Sequence, residues 1–145
     1  MLIHQLPAKP AYLRVKVWRR LQALGAVAVK NSVYALPSSV EAQEDFEWLL
    51  REIQDGGGEA LVCEARVVDG MTDEEVRALF HRARDADYAD IAKEARELGK
   101  GLGRKPSQDA RAEASARLVK LRARLTQVHA IDFSAPAGAR RPMAY

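Results

Sequence analysis

Cysteine is almost missing from this sequence: Cys63 is the single one among 145 residues. It has no internal partner for a disulfide, which fits a reducing, cytoplasmic setting. Long apolar runs are missing too. The longest are a handful of residues, far short of the roughly 20 that a membrane-crossing helix needs. The opening, MLIHQLPAKP, has no basic stretch followed by an apolar one, so no secretory signal is expected there. Histidines are few and scattered, at His4, His81 and His129, with no metal-ligand spacing and so no metal or other cofactor expected. There is no Gly-x-Ser-x-Gly and no phosphate-binding loop. The glycines of GGGEA and GKGLG lack the strand and helix framing of such motifs and read as flexible turns.

Acid is missing from one region in particular. Residues 1–37 carry Lys9, Arg14, Lys16, Arg19, Arg20 and Lys30 with no Asp or Glu, for a net +6. Residues 38–103 carry 8 bases against 17 acids, for −9, and residues 104–145 return to +6. The total of +3 conceals this pattern. Two readings are open. The basic block faces an anionic partner, or the blocks neutralise one another when the chain folds.

What is present reads as a small α+β protein, long enough to bury a core without disulfides or metals. LIHQLP (Leu2–Pro7) alternates and is stopped by Pro7, a first strand, with Pro10 in the first turn of the next element. A helix follows from Tyr12 to about Leu24, ended by Gly25, with Leu13, Val17, Leu21 and Leu24 on one stripe. Lys16, Arg19 and Arg20 are expected opposite that stripe, and Arg14 at its edge between Leu21 and Trp18. Ala26–Pro37 is one long strand or a hairpin about Lys30-Asn31. Ser38-x-x-Glu41 is a capping box opening a helix whose apolar face is Ala42, Phe46, Leu49, Leu50 and Ile53. Ala60–Gly70 reads as a further strand. Thr72-x-x-Glu75 is a second capping box, before a helix expected to break near Asp85-Ala86-Asp87. Gly99–Ser107 reads as a linker. A last helix spans about Gln108–Val128, with Ala110, Ala114, Leu118, Leu121, Leu125 and Val128 on one stripe.

Strand, helix, strands, helix, strand is the order of a ferredoxin-like α+β sheet covered by helices. The expected division is a core over 1–70, a helical extension over 71–131 and a flexible tail over 132–145. His4 alternates with Leu2 and Leu6 and is expected to be a satisfied core histidine. Cys63, in a Val-rich strand, is expected to be buried and inert. The carboxylates of DFEW and DADYAD read as solvated helix faces, so no catalytic residue is assigned and the protein is not expected to be an enzyme. Arg14, Lys16, Arg19, Arg20 and Lys30, with Trp18 and Tyr12 nearby, are the candidate nucleic-acid contacts, suited to a phosphate backbone.

The segments LIHQLPAKPAYLRVKVWRRLQALGAVAVKNSVYALP, EDFEWLLREI, GGGEALVCEARVVDGMTDEEVRALF and DADYADIAKEARELGK, with the closing HAIDF, resemble the N-terminal half of the ChrB family. The likeness covers roughly residues 2–131. It implies a cytoplasmic, chromate-responsive regulator of a chromate-efflux operon that acts on promoter DNA. RVKVWRRLQALGAVAVKNSVYAL is more distantly similar to dimeric ferredoxin-like domains of phenylacetate-pathway repressors and CRISPR adaptation nucleases. The nucleases need an aspartate at the end of strand 1, where this chain has Gln5-Leu6-Pro7. Family members continue into a second domain associated with chromate resistance; this sequence ends at SAPAGARRPMAY, as a standalone form or a fragment.

The expectation is therefore a homodimeric, DNA-binding regulatory module without membrane contact. The alternative is a protein-interaction module that docks a chromate-sensing domain and has no DNA role. The chromate oxyanion itself is a candidate ligand for Arg14 and a neighbouring Arg.

Overall fold

The computed structural model describes residues 1–9, 11–103 and 106–134. Eight elements follow one another: β1 (Leu2–Gln5), α1 (Ala11–Ala23), β2 (Val27–Lys30), β3 (Val33–Ala35), α2 (Val40–Asp55), β4 (Glu59–Val62), α3 (Asp73–Gly101) and α4 (Gln108–Ala130). The architecture is α+β. Two compact units are present, one built from residues 1–81 with Phe133 and Ser134, the other from Arg82–Asp132. Helix α3 runs through the boundary.

In the first unit the four strands form one antiparallel sheet in the order β2-β3-β1-β4. Leu2 sits opposite Tyr34 on one side and Val62 on the other. Strand alternation sends Leu2 into the core and Ile3 outward. Helix α1 buries Leu13, Val17 and Leu21, four residues apart, and α2 buries Phe46, Leu49 and Ile53. These six close over Leu2, Ala26 and Leu36. Full burial of each large side chain here contributes about 1.5–3 kcal/mol before entropy is counted. Helix α1 stops where expected. Gly25 takes φ 72°, its N–H donates to the Gln22 carbonyl, and the Ala26 N–H donates to the Leu21 carbonyl at 3.0 Å. That pair of bonds is the Schellman arrangement, which a glycine at this position permits.

Several local expectations are corrected. The stretch from Ala26 is a hairpin, and the positive φ falls on Ser32 (62°) instead of Asn31. The cap of α2 is Ser39, whose hydroxyl accepts from the Ala42 N–H at 3.1 Å; Ser38 instead donates to Glu64 at 3.0 Å. The strand predicted over 60–70 ends at Val62, because β1 offers no partner past the bonds joining Met1 and Cys63. The capping box at Thr72 forms in full: the Thr72 N–H donates to Glu75 and the Glu75 N–H to Thr72 Oγ1. The Thr72 N–H bond, and after it the Thr72 hydroxyl's bond to the same carboxylate oxygen at 3.0 Å, hold the Glu75 carboxyl below its ordinary range.

No break occurs at Asp85-Ala86-Asp87; α3 is continuous to Gly101 and takes in the start of the expected linker. Asp costs a helix only about 0.7 kcal/mol per residue, and Asp87 recovers some of that by pairing with Arg84 three residues earlier, at 2.9 Å. Phe133, assigned to a tail, packs on the first unit's core and meets Phe80 edge to face at 5.9 Å. In the second unit Ile91 packs with Leu121 and Val128, joined by Tyr88, Leu98 and Leu125. Leu118, predicted on that stripe, is 41% exposed. Pro10, Arg104, Lys105 and residues 135–145 of the expected turn, linker and tail lie outside the described residues.

Candidate nucleic-acid interface

Helix α1 carries four of the five candidate contacts, and its core stripe fixes where they point. At 100° per residue, Leu13, Val17, Leu21 and Leu24 share one arc. Arg14 lies on one flank with Trp18. Arg19 lies on the outermost side beside Val15. Lys16 and Arg20, four residues apart, share the other flank. Arg20 is thus at the stripe's margin, not opposite it. All four cations are exposed, yet they ring the helix and do not form a single face.

The flank with Lys16 is turned toward α2. Lys16 Nζ lies 2.6 Å from Glu52 Oε1. The hydrogen bond to Glu52, then its charge, raises the Lys16 pKa. Among the described residues Lys16 is the only cation of the acid-free block with an ion-pair partner. Wholesale neutralisation by the acidic middle therefore does not occur. Arg14, Arg19 and Arg20 stay open to solvent, as does Lys30 at the end of β2 beside the hairpin turn. No second arginine of α1 shares the Arg14 flank, so the helix does not assemble the suggested pair of guanidiniums for an oxyanion. Tyr12, Val15 and Trp18 lie between the cations and are 64%, 47% and 55% exposed.

Other sequence-nominated groups fall elsewhere. His4 stacks on Tyr34, with ring centroids 5.6 Å apart and planes 15° from parallel. Neither of its ring nitrogens has a hydrogen-bond partner, so it is not the satisfied histidine expected. Burial lowers its pKa. Cys63 is half-buried at the end of β4, not sealed in a strand, and lines an open groove of about 500 Å³ with Met1, Ser38, Gln43, Phe46 and Glu64.

One cluster was not anticipated. In the second unit Arg84 is 5% exposed, pairs with Asp87 and donates to the Ile131 carbonyl at 3.3 Å; its Nε is unpartnered. One turn on, the Tyr88 hydroxyl donates to Asp132 at 2.8 Å and lies 3.2 Å from His129 Nδ1. Helix α3 thereby holds the end of α4 by polar contacts. The only signal in the sequence is an arginine and a tyrosine four residues apart on the stripe of Ile91.

The whole span from Arg14 on α1 to the packed Phe133 matches one family model, Protein ChrB, N-terminal, over residues 14–133. The chain belongs to that family. The match takes in all five candidate contacts and the Arg84–Asp132 cluster, and it starts later and ends slightly further on than the resemblance over residues 2–131. Over 119 residues the chain is 27% identical to Protein ChrB of Cupriavidus metallidurans, covering 70% of this chain and 37% of that protein. The chain therefore spans little more than a third of the family relative it matches. No solved structure matches. Among the described residues no helix is long and apolar enough to cross a membrane.

Proposed function

We propose that this chain is the DNA-contacting, regulatory module of a chromate-resistance regulator: cytoplasmic, homodimeric and non-catalytic. The observation that carries the reading is the unpaired exposure of Arg14, Arg19, Arg20 and Lys30 in an acid-free block inside the ChrB match. Guanidinium and ammonium groups held open to water on short elements suit phosphate oxygens, and such contacts position a protein on DNA without reading sequence.

The test is fluorescence anisotropy on a duplex across a salt series. Every phosphate contact adds about −0.9 to the log–log slope, and the contacts of both copies add together in the dimer. The double variant Arg19→Glu/Arg20→Glu stays folded and makes the slope shallower, by up to about 3.6 for a dimer that uses both residues in each copy. Lys16→Gln leaves the slope near that of the unaltered protein, because Lys16 is held by Glu52. A double variant that binds with an unchanged slope overturns the assignment of this surface.

A second reading, a module that docks a chromate-sensing partner without touching DNA, is favoured by Leu118 and Val119. They are 41% and 64% exposed on α4. Under that reading Leu118→Glu abolishes the docking and Arg19→Glu/Arg20→Glu does not.

A further inference from the structure

The sequence over Ala60–Gly70 has strand character, but the sheet uses it only as far as Val62. Beyond the mutual bonds of Met1 and Cys63 (2.9 and 2.6 Å), the ladder with β1 ends. Residues 63–68 alternate in burial, in the opposite phase to β4: Cys63, Ala65 and Val67 are half-buried, while Glu64, Arg66 and Val68 are exposed. Val68 is 85% exposed. From Ala65 to Val68 the backbone makes no hydrogen bond to another described residue. β4 is also the last strand of the sheet, so its outer edge is unpaired among the described strands. An unpaired edge continued by a segment whose backbone is left unbonded is a template for another strand.

The segment is complementary to itself. Laid antiparallel on a second copy with Ala65 against Ala65, it sets Val62 against Val68, Cys63 against Val67 and Glu64 against Arg66, each pair occurring twice. Directly opposite side chains share a face of the sheet and lie about 4.5–5.5 Å apart at Cβ, so every apolar residue meets an apolar one and each acid meets a base. A slip of two residues sets Glu64 against Glu64 or Arg66 against Arg66. Ser38 occupies only Oε1 of Glu64, which leaves the other carboxylate oxygen for the arginine.

The geometry points to residues 62–68 as the edge through which two copies of this chain pair, centred on Ala65 and extending the sheet across a two-fold axis. This gives a surface to the homodimer of the reading above and rests on that part of it. The test is run without DNA, so its failure leaves the phosphate contacts standing.

The mass of the full chain is measured by sedimentation equilibrium over a concentration series. Glu64→Arg and Arg66→Glu each replace two opposite-charge pairs with two like-charge pairs, and each weakens the dimer about 10- to 30-fold. The exchange Glu64→Arg/Arg66→Glu restores it. Independently, Ala65→Cys in a Cys63→Ser background meets its own copy and gives a covalent dimer on oxidation, whereas Cys63→Ser alone does not. A chain that is monomeric throughout, a dimer unmoved by the single reversals, or failure of the exchange to restore affinity overturns the pairing.

Discussion

The Arg84–Asp87 pair predicts an asymmetry that intuition about ion pairs misses. Arg84 is the buried member, with a side chain 6% exposed, and Asp87 is 31% exposed. Asp87→Ala leaves a guanidinium out of water with one long bond to the Ile131 carbonyl and an Nε that already has no partner. An uncompensated buried charge of this kind costs about 3–5 kcal/mol. Arg84→Met keeps much of the volume and removes the charge. Asp87 is exposed enough to regain water, and the Ile131 carbonyl loses one weak bond, so the cost is about 1–2 kcal/mol. The double variant Arg84→Met/Asp87→Ala then resembles Arg84→Met and is more stable than Asp87→Ala alone. Urea unfolding followed by far-UV circular dichroism measures this directly. Trp18 and Trp48, the only two tryptophans, both lie in the first unit. Their fluorescence serves as a control for the unit that is not perturbed. If Asp87→Ala proves no worse than Arg84→Met, the buried guanidinium is not held by Asp87 and the reasoning fails.

Two further predictions concern the first unit and the start of α3. A Cβ on Gly58 would stand 2.7 Å from Ile53 Cγ2 and 3.0 Å from the Gln5 carbonyl; Gly58→Ala should destabilise by about 1–3 kcal/mol, as overpacking does. Gly57 has open space but φ +80°, so Gly57→Ala should cost about 1 kcal/mol through its backbone alone, and thermal unfolding separates the two. The depressed Glu75 pKa gives the capping box a pH signature. A carboxyl bound more weakly to its proton when folded adds stability above its ordinary value of 4.5, and that contribution disappears as pH falls through the lowered folded value. The stability difference between the unaltered protein and Glu75→Gln should therefore be present at neutral pH and vanish in acid; a difference that persists unchanged in acid contradicts the cap.

Most of the fold was legible because its signals are local. Apolar spacing found the inward faces of α1 and α2, Gly25 marked a stop, and the Thr72-x-x-Glu75 capping box marked the start of α3. The misses share a cause, which is that a partner distant in sequence decides the outcome. Ser38, with Glu41 three residues on, is the better cap on paper, but its hydroxyl donates to Glu64 and Ser39 caps the helix instead. Residues 63–68 have strand character but no neighbour in the sheet to pair with. Asp85 and Asp87 look like helix breakers until Arg84 is seen to hold one of them. The same holds at the candidate interface. The acid-free block was visible at once, whereas the pairing of Lys16 with a residue 36 positions later was not. The spread of the cations around α1 was computable from 100° per residue, and it limits how many reach one phosphate backbone together.

The central claim is that this chain contacts DNA as part of a chromate response. The direct measurement is anisotropy on a fragment of its own upstream region and on an unrelated duplex, across a salt series, with and without chromate. The account predicts a steep salt slope, tighter binding to the upstream fragment, and release on adding chromate. No binding to either duplex even at low salt would contradict it.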